Sequence, residues 1–566
     1  MGSGPHIAMN RRVRMGSAAA IAAAAAVGIA FAVAPSSSAA PAATTTPIQH
    51  LVVIVDSGVS FDHYFGTYPY VTNSDGHYFK ASSSTPKVST ALYSKWTQVT
   101  KKFKSPAGVI GTLLTDNPNQ YNPQRLGYNE VLTCAQNDGY TAEQDAVDNG
   151  HDDQYVENQL TPDCGRADLS PASRPGVVMD YYDGNTVTAL WNYAQHYAMS
   201  VANYDSTYGP SELGAINMIG GDTEGGYAVS PTSTSTVASS DAVSPLAGGT
   251  GTIYGDIDPA FDNCSDASHT TGTPLGVLTG LNVGNLLNDK DVTWGWFQGG
   301  FASTGTNSAG YAVCGSRHTN LAGASVQDYT PDLDPFQYYQ STANPKHLPP
   351  TSEAAIGTSD QANHQYDLSD FYQTLKDGNM PAVSFLAAPA YENGNSGSSD
   401  PIDEQKFLVN TINQIEQSPD WASTAIVVTY DGSGGWYDSA TPPNVNGSDA
   451  PQDGTVCAKS ASLGSATNRC GYGVRVPLLV ISPYAQPNTI DTTTTDTSSI
   501  LRFIEDNWVS GQRISAASFD SIAGNLAGTP AVPNGAAAIP GLLNFTAAPQ
   551  TGTVILNPST GEVTGG

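Results

Sequence analysis

The sequence predicts an α/β fold: a doubly wound, mostly parallel β-sheet with helices on both faces. Short apolar runs at 51–55 (LVVIV), 425–429 (AIVVT) and 476–481 (VPLLVI) are unbroken rather than alternating, as in parallel strands covered on both sides. Apolar residues at helical spacing lie between and after them. Strands alternating with helices pack as a parallel sheet with helices over it, and such sheets collect ligands at the carboxyl ends of their strands. That rule directs attention to the residues just after Val55 and just after Tyr430.

The first strand lies in IQHLVVIVDSGVSFDHYFGTYP, where it runs into an Asp-Ser-Gly turn. Val187, Leu190, Trp191, Ala194, Tyr197 and Ala198 then mark one helical segment, and 407–415 a second. Asp400, Asp403 and Glu404 precede the second, where carboxylates cap a helix and meet the positive end of its dipole. Ile500, Leu501, Ile504 and Trp508 mark a third. Stretches near 230–252 and 393–399 are mostly Ser, Thr, Gly and Ala, and read as loops. From about 528 the chain is rich in Pro, Gly and Ala and is expected to end as an extended arm. His63, beside Phe61, Tyr64 and Phe65, reads as a hydrogen-bonded scaffold residue, and His196 as packing or surface. Trp294, Trp296 and Trp436 read as core.

A formal charge of −29, from 51 acidic against 22 basic residues, excludes phosphate-backbone binding and argues against nucleic acid as a partner. Arg11, Arg12 and Arg14 precede an apolar run at 18–33, and Ser38-Ala39-Ala40 offers a small-residue cleavage site, so residues 1–40 are expected to be an export signal with an N-terminal extension. The protein is then secreted or periplasmic, with no transmembrane anchor after signal removal and no later run long enough to span a bilayer. Six cysteines without a C-x-x-C pair suit disulfides in an oxidising compartment. Pairing in chain order is expected on locality alone, out of 15 connectivities for six cysteines. The organisation expected is 1–40 signal, 41–527 a single α/β domain and 528–566 the arm, in a monomer.

The segments SFDHYFGTYP, DYYDGNTVTALWNYAQHYAMS, YGPSELGAIN, VTYDGSGGWYD, VPLLVISPYAQPN and SSILRFIEDNW resemble the bacterial phosphoesterase family of phospholipases C and acid phosphatases. The resemblance covers nearly the whole exported chain. It implies an alkaline phosphatase-like fold and hydrolysis of a phosphate ester or phospholipid head group by a metal-activated Ser or Thr, through a phosphoenzyme. In such a site carboxylates and an amide hold a divalent cation, the cation lowers the hydroxyl pKa, and histidines serve the phosphate and leaving group.

This chain departs from that pattern at the reacting positions. Ser57 and Gly58 stand where the family has a Glu-Asn pair of metal ligands, with Asp56 one place earlier as a possible substitute. Glu212 stands at the nucleophile position, with Ser211 before it as a possible substitute. Asp431 is retained as a metal ligand, while Gly432 replaces its acidic partner. Asn395 and Thr492 occupy histidine positions, Asp332-Leu333 replaces a His-His pair, Asp138 and Glu224 also replace histidines, and Val201-Ala202 stands for an Asp-Asn. Two readings stay open. In one, Asp431, Asp56, Glu212, Asp205 and Asp438 form a rearranged oxygen-rich site favouring Ca²⁺ or Mg²⁺ over Zn²⁺. In the other, the pocket has lost hydrolysis and serves as a non-catalytic or repurposed binding site for a cation or a small molecule.

Overall fold

The computed structural model describes residues 43–88, 112–161, 176–233, 235–243, 251–265, 272–454, 468–528 and 541–565, together with the isolated positions 1, 92, 269, 456–457 and 462–464. Its centre is an eight-stranded sheet. In chain order the strands are β1 (His50–Asp56), β2 (Ala198–Ser200), β3 (Trp294–Gln298), β4 (Gln365–Asp367), β5 (Val383–Ala387), β6 (Thr424–Tyr430), β7 (Leu478–Ile481) and β8 (Thr489–Asp491). They lie side by side as β4-β3-β5-β1-β6-β7-β2-β8.

β1 is central because its run Leu51–Val55 has no polar side chain to place. It pairs in parallel with β5 (Leu51 opposite Val383) and with β6 (Asp56 opposite Tyr430). Leu51, Val52, Val53 and Ile54 are fully buried, and each such side chain contributes about 1.5–3 kcal/mol through removal from water. One expectation is corrected here: β7, read as parallel, runs antiparallel to both β6 and β2. A strand buried on both faces shows the same apolar run in either direction, so the reversal left no mark in the pattern.

The helical segments read from periodicity are α3 (Thr188–His196), α6 (Pro401–Glu416) and α7 (Ser498–Trp508); α1 (Phe61–Phe65), α2 (Tyr140–Val147), α4 (Ser211–Gly220) and α5 (Leu368–Asp377) complete the main set. Helix α3 packs with α6, and α4 with α7. Leu190, Ile216, Ile412 and Ile504 from these four helices share one core with β1. Asp400 caps α6, accepting from the backbone N–H of Ile402 at 2.9 Å and of Asp403 at 3.1 Å. Trp294, Trp296 and Trp436 are core residues, all at most 1% exposed.

The export signal expected at 1–40 lies outside the described residues apart from Met1. Within the segment expected as an arm, residues 541–565 lie against the main body, where β9 (Ile555–Leu556) pairs with β10 (Val563–Gly565). Asn413 on α6 donates to the Leu556 carbonyl at 2.9 Å, and Asn192 on α3 to that of Gly561 at 2.8 Å. These side-chain amides satisfy backbone groups that the composition alone gave no reason to place. Disulfides join Cys264 to Cys314 and Cys457 to Cys470, while Cys164 lies outside the described residues. No helix among the described residues is long and apolar enough to cross a membrane.

Candidate functional site

A cavity of about 290 Å³ opens at the carboxyl ends of β5, β1 and β6, with Gly58, Asn395 and Gly434 from the loops that follow these strands in its lining. The loops are tied to one another by backbone: Ser57 N–H donates to the Asn393 carbonyl and Val59 N–H to that of Gly432, both at 2.9 Å. Helix α4 brings its first turn to the same place. Its approach depends on Gly214, where a Cβ would sit 1.7 Å from the Asp431 carbonyl oxygen. Only glycine lets the helix lie this close to the strand-end loop.

The rest of the lining includes Gln136, Asp138, Ser211, Glu212, Asp256, Thr330, Asp332 and Ser398. Among the described lining residues there is no Lys, Arg or His. The wall formed by Glu212 on α4, Asp256 in the loop after residue 251 and Asp332 in the turn Pro331–Leu333 places carboxylate oxygens within 4.8 Å of one another. Glu212 is 5% exposed, and its Oε2 has no hydrogen-bond partner. Its carboxyl is held well above the usual range by burial, then by the charges of Asp256 and Asp332. Burial likewise raises Asp332, and lifts Asp138 to about 6.

A second group beside the cavity holds Ser57, Gly58, Asp431 and Gly432. Gly58 sits at φ +68°, a left-handed conformation that glycine takes without penalty and that asparagine tolerates better than most residues. Its N–H donates to Asp431 Oδ1 at 3.2 Å, and the hydroxyls of Ser211 and Ser57 also bond that carboxyl. Burial nevertheless pushes Asp431 up to about 8. Asn395 Nδ2 reaches Ser57 Oγ at 3.4 Å. The divalent cation that the family resemblance implies does not fit here. Gly58 and Gly432 supply no ligand atom, and the lone carboxyl of the group is engaged by a backbone N–H and two hydroxyls.

The structure therefore brings Gly58, Ser211, Glu212 and Asn395 to the cavity, with Ser57, Asp431 and Gly432 packed just behind it. It does not bring Thr492, which is exposed in the loop after β8 and does not line the cavity. Asp56 faces Glu404 and not the cavity; the Glu404 carboxylate accepts from Tyr64 Oη at 2.8 Å and from Tyr430 Oη. Asp438 is bound to Arg475, whose Nε lies 3.0 Å from Oδ1. Asp205 is buried with both carboxyl oxygens unpartnered and does not line the cavity. The five carboxylates Asp431, Asp56, Glu212, Asp205 and Asp438 thus do not gather round one point. Glu224 lies by Arg469, 3.9 Å from its Nη1, and Val201 offers its carbonyl to Arg475. His63 is stacked on Trp436 at 3.8 Å and donates to the Asp180 carbonyl, and burial pushes it down to about 3, which suits a packed, neutral ring.

Asp256 and Thr330 were not legible as site residues. Asp256 follows the Ser/Thr/Gly stretch in GDIDP, and this return of acidic residues is the one local signal that could have raised it.

The sequence profile of the Phosphoesterase family matches residues 48–509. The non-hemolytic phospholipase C of Burkholderia pseudomallei is 34% identical over 139 residues, which is 24% of this chain and 20% of that protein. A non-hemolytic phospholipase C of Pseudomonas aeruginosa is 27% identical over 141 residues (23% and 20%), and the non-specific phospholipase C6 of Arabidopsis thaliana 31% over 138 residues (22% and 24%). The match thus spans about a fifth to a quarter of these relatives' own length. Among solved structures, a protein in the alkaline phosphatase superfamily from Vibrio parahaemolyticus aligns at 12% identity over 57% of this chain and 60% of that one, with a TM-score of 0.24.

Proposed function

The chain belongs to the Phosphoesterase family, and from that premise we propose that it is an exported member whose cavity binds a cationic ligand and does not hydrolyse phosphate esters. The observation that carries this reading is Glu212. It stands at the head of α4, at the position where family members present the attacking hydroxyl, and it faces Asp256 and Asp332 in a cavity with no basic lining residue among those described. Phosphoryl transfer needs positive charge aimed at the oxygens of the transferring group. A wall of carboxylates does the reverse: it repels a phosphate and attracts a cation. Disulfides Cys264–Cys314 and Cys457–Cys470 support an oxidising, extracytoplasmic location.

The test is hydrolysis of p-nitrophenyl phosphate and of phosphatidylcholine over Ca²⁺, Mg²⁺, Mn²⁺ and Zn²⁺. No turnover above a heat-inactivated control is expected. Metal-dependent turnover that Asp431→Ala abolishes would overturn the reading in favour of metal-assisted phosphoester hydrolysis, the activity that the family match supports. The complementary variant combines Ser57→Glu, Gly58→Asn, Glu212→Thr, Gly432→Asp and Asn395→His, and is expected to gain turnover. Gly432→Asp is its demanding member, because a Cβ there lies 3.0 Å from Ser211 Oγ and 3.1 Å from Ser211 Cα, so the backbone at the head of α4 must shift as well as the serine side chain.

A further inference from the structure

We propose that Glu212, Asp256 and Asp332 form a Ca²⁺ site on the wall of the cavity, built from residues other than those at the family's metal-ligand positions. The inference deepens the cation-binding reading above and rests on it.

Two independent observations meet at this wall. The first is convergence: three segments distant in the chain, α4, the loop after residue 251 and the turn Pro331–Leu333, bring three carboxylate oxygens within 4.8 Å of one another. The second concerns Glu212 by itself. It is 5% exposed and lines the cavity; its carboxyl is hydrogen-bonded to that of Asp332, while Oε2 meets no donor from elsewhere in the fold. A buried carboxylate oxygen without a donor is costly. None of the described lining residues offers a cation to meet it.

The chemistry and size of the cluster select the ion. All three donors are carboxylate oxygens, which suit a hard cation and not Zn²⁺ with its preference for nitrogen and sulfur. Two oxygens on one Ca²⁺, each at 2.3–2.6 Å, stand at most about 5.2 Å apart, whereas on Mg²⁺ the limit is about 4.2 Å. Three oxygens each at the full 4.8 Å from the others stand about 2.8 Å from their common centre, so a shift of a few tenths of an ångström brings them to Ca²⁺ distance, and Mg²⁺ needs a larger one. The flexible coordination of Ca²⁺ also suits an open cavity, where Asp138, Thr330 and water complete the shell.

The experiment uses the full chain, stripped with chelator and titrated with CaCl₂ by calorimetry and by equilibrium dialysis. One Ca²⁺ per chain is expected, with Kd on the order of 10⁻⁴ M, and an accompanying rise in Tm. Glu212→Gln is expected to weaken binding at least tenfold. Asp256→Asn, at the exposed rim where folding is not at stake, is expected to weaken it severalfold, while Mg²⁺ binds more weakly than Ca²⁺ throughout. Saturation without retained Ca²⁺, or affinity that falls with Asp431→Asn and not with Glu212→Gln or Asp256→Asn, overturns the site. The outcomes separate from those of the hydrolysis assay. A chain that hydrolyses phosphate esters yet holds Ca²⁺ through Glu212 sinks the non-hydrolytic reading alone; one that neither hydrolyses nor retains Ca²⁺ sinks this site alone.

Discussion

Asp438 and Asp62 lie buried around Arg475, whereas Glu212 and Asp332 lie in the cavity wall with no basic residue among the described lining. In the first group the guanidinium lies 3.0 Å from Asp438 and 3.1 Å from Asp62, donates to the Val201 carbonyl and covers the Phe61 ring at 4.3 Å. The fold supplies its own cation there, and the group joins α1 to the loops after β2 and β6. In the second group the fold supplies none. Around Arg475 the buried carboxylates are compensated from within; at the cavity wall no described basic residue compensates them.

The contrast breaks most readily at Arg475. Arg475→Met strands two buried carboxyls and is expected to cost about 3–5 kcal/mol in urea denaturation; a loss below about 1 kcal/mol would show that these aspartates need no partner and would dissolve the comparison.

The next effect is pH dependence of the chelated protein. Burial holds Asp431 and Glu143 up at about 8 and Asp138 at about 6, above the ordinary carboxylate range of the unfolded chain. The folded state then binds more protons than the unfolded state between about pH 4 and pH 8, so stability is fullest at the acid end and falls as pH rises, by about 1.4 kcal/mol per pH unit for each extra proton. Thermal unfolding at pH 5 and pH 8 checks the sign: a higher Tm at pH 8 without metal would contradict it.

Glu212→Gln tests the uncompensated side directly. An amide keeps the shape, loses the charge and can donate to Asp332, so in chelator it is expected to stabilise by about 1 kcal/mol, the opposite sign to Arg475→Met. Destabilisation, read in the same denaturation experiment, would mean that the carboxylate is already satisfied. The smallest effect is Asp256→Asn in the metal-free chain. At an exposed rim it should change stability by less than about 0.5 kcal/mol, and a larger change would assign Asp256 to the scaffold.

The unequal legibility of the two groups has a physical reason. Strands β1 and β6, and helices α3, α6 and α7, were readable because covering by solvent-free neighbours imposes a run or a period on the side chains. β3 was not, since WGWFQ is short and aromatic and its burial pattern fits a helix as well as a strand. The Gly-Pro-Ser before Glu212 and the YDG after β6 placed one half of the cavity from sequence, because local motifs carry position as well as identity. Asp332 was placed there only by the family resemblance, and Asp256 not at all: it reaches Glu212 through a long connection, and nothing in a single chain written out in order records which distant loops will meet. Asp56 shows the converse: it is next to Ser57 in sequence, but alternation along the strand turns it toward Glu404.

The buried carboxyls also make the formal charge of −29 an overcount for the native molecule, because it treats every Asp and Glu as ionised. At pH 7 the native chain retains protons on groups such as Asp431 and Glu143, whose folded pKa values lie near 8. Folding therefore acts as a charge regulator: the native protein is a reservoir of protons that unfolding discharges into the medium, and in weakly buffered solution the acidity of that medium becomes a gauge of how much of the molecule is still native.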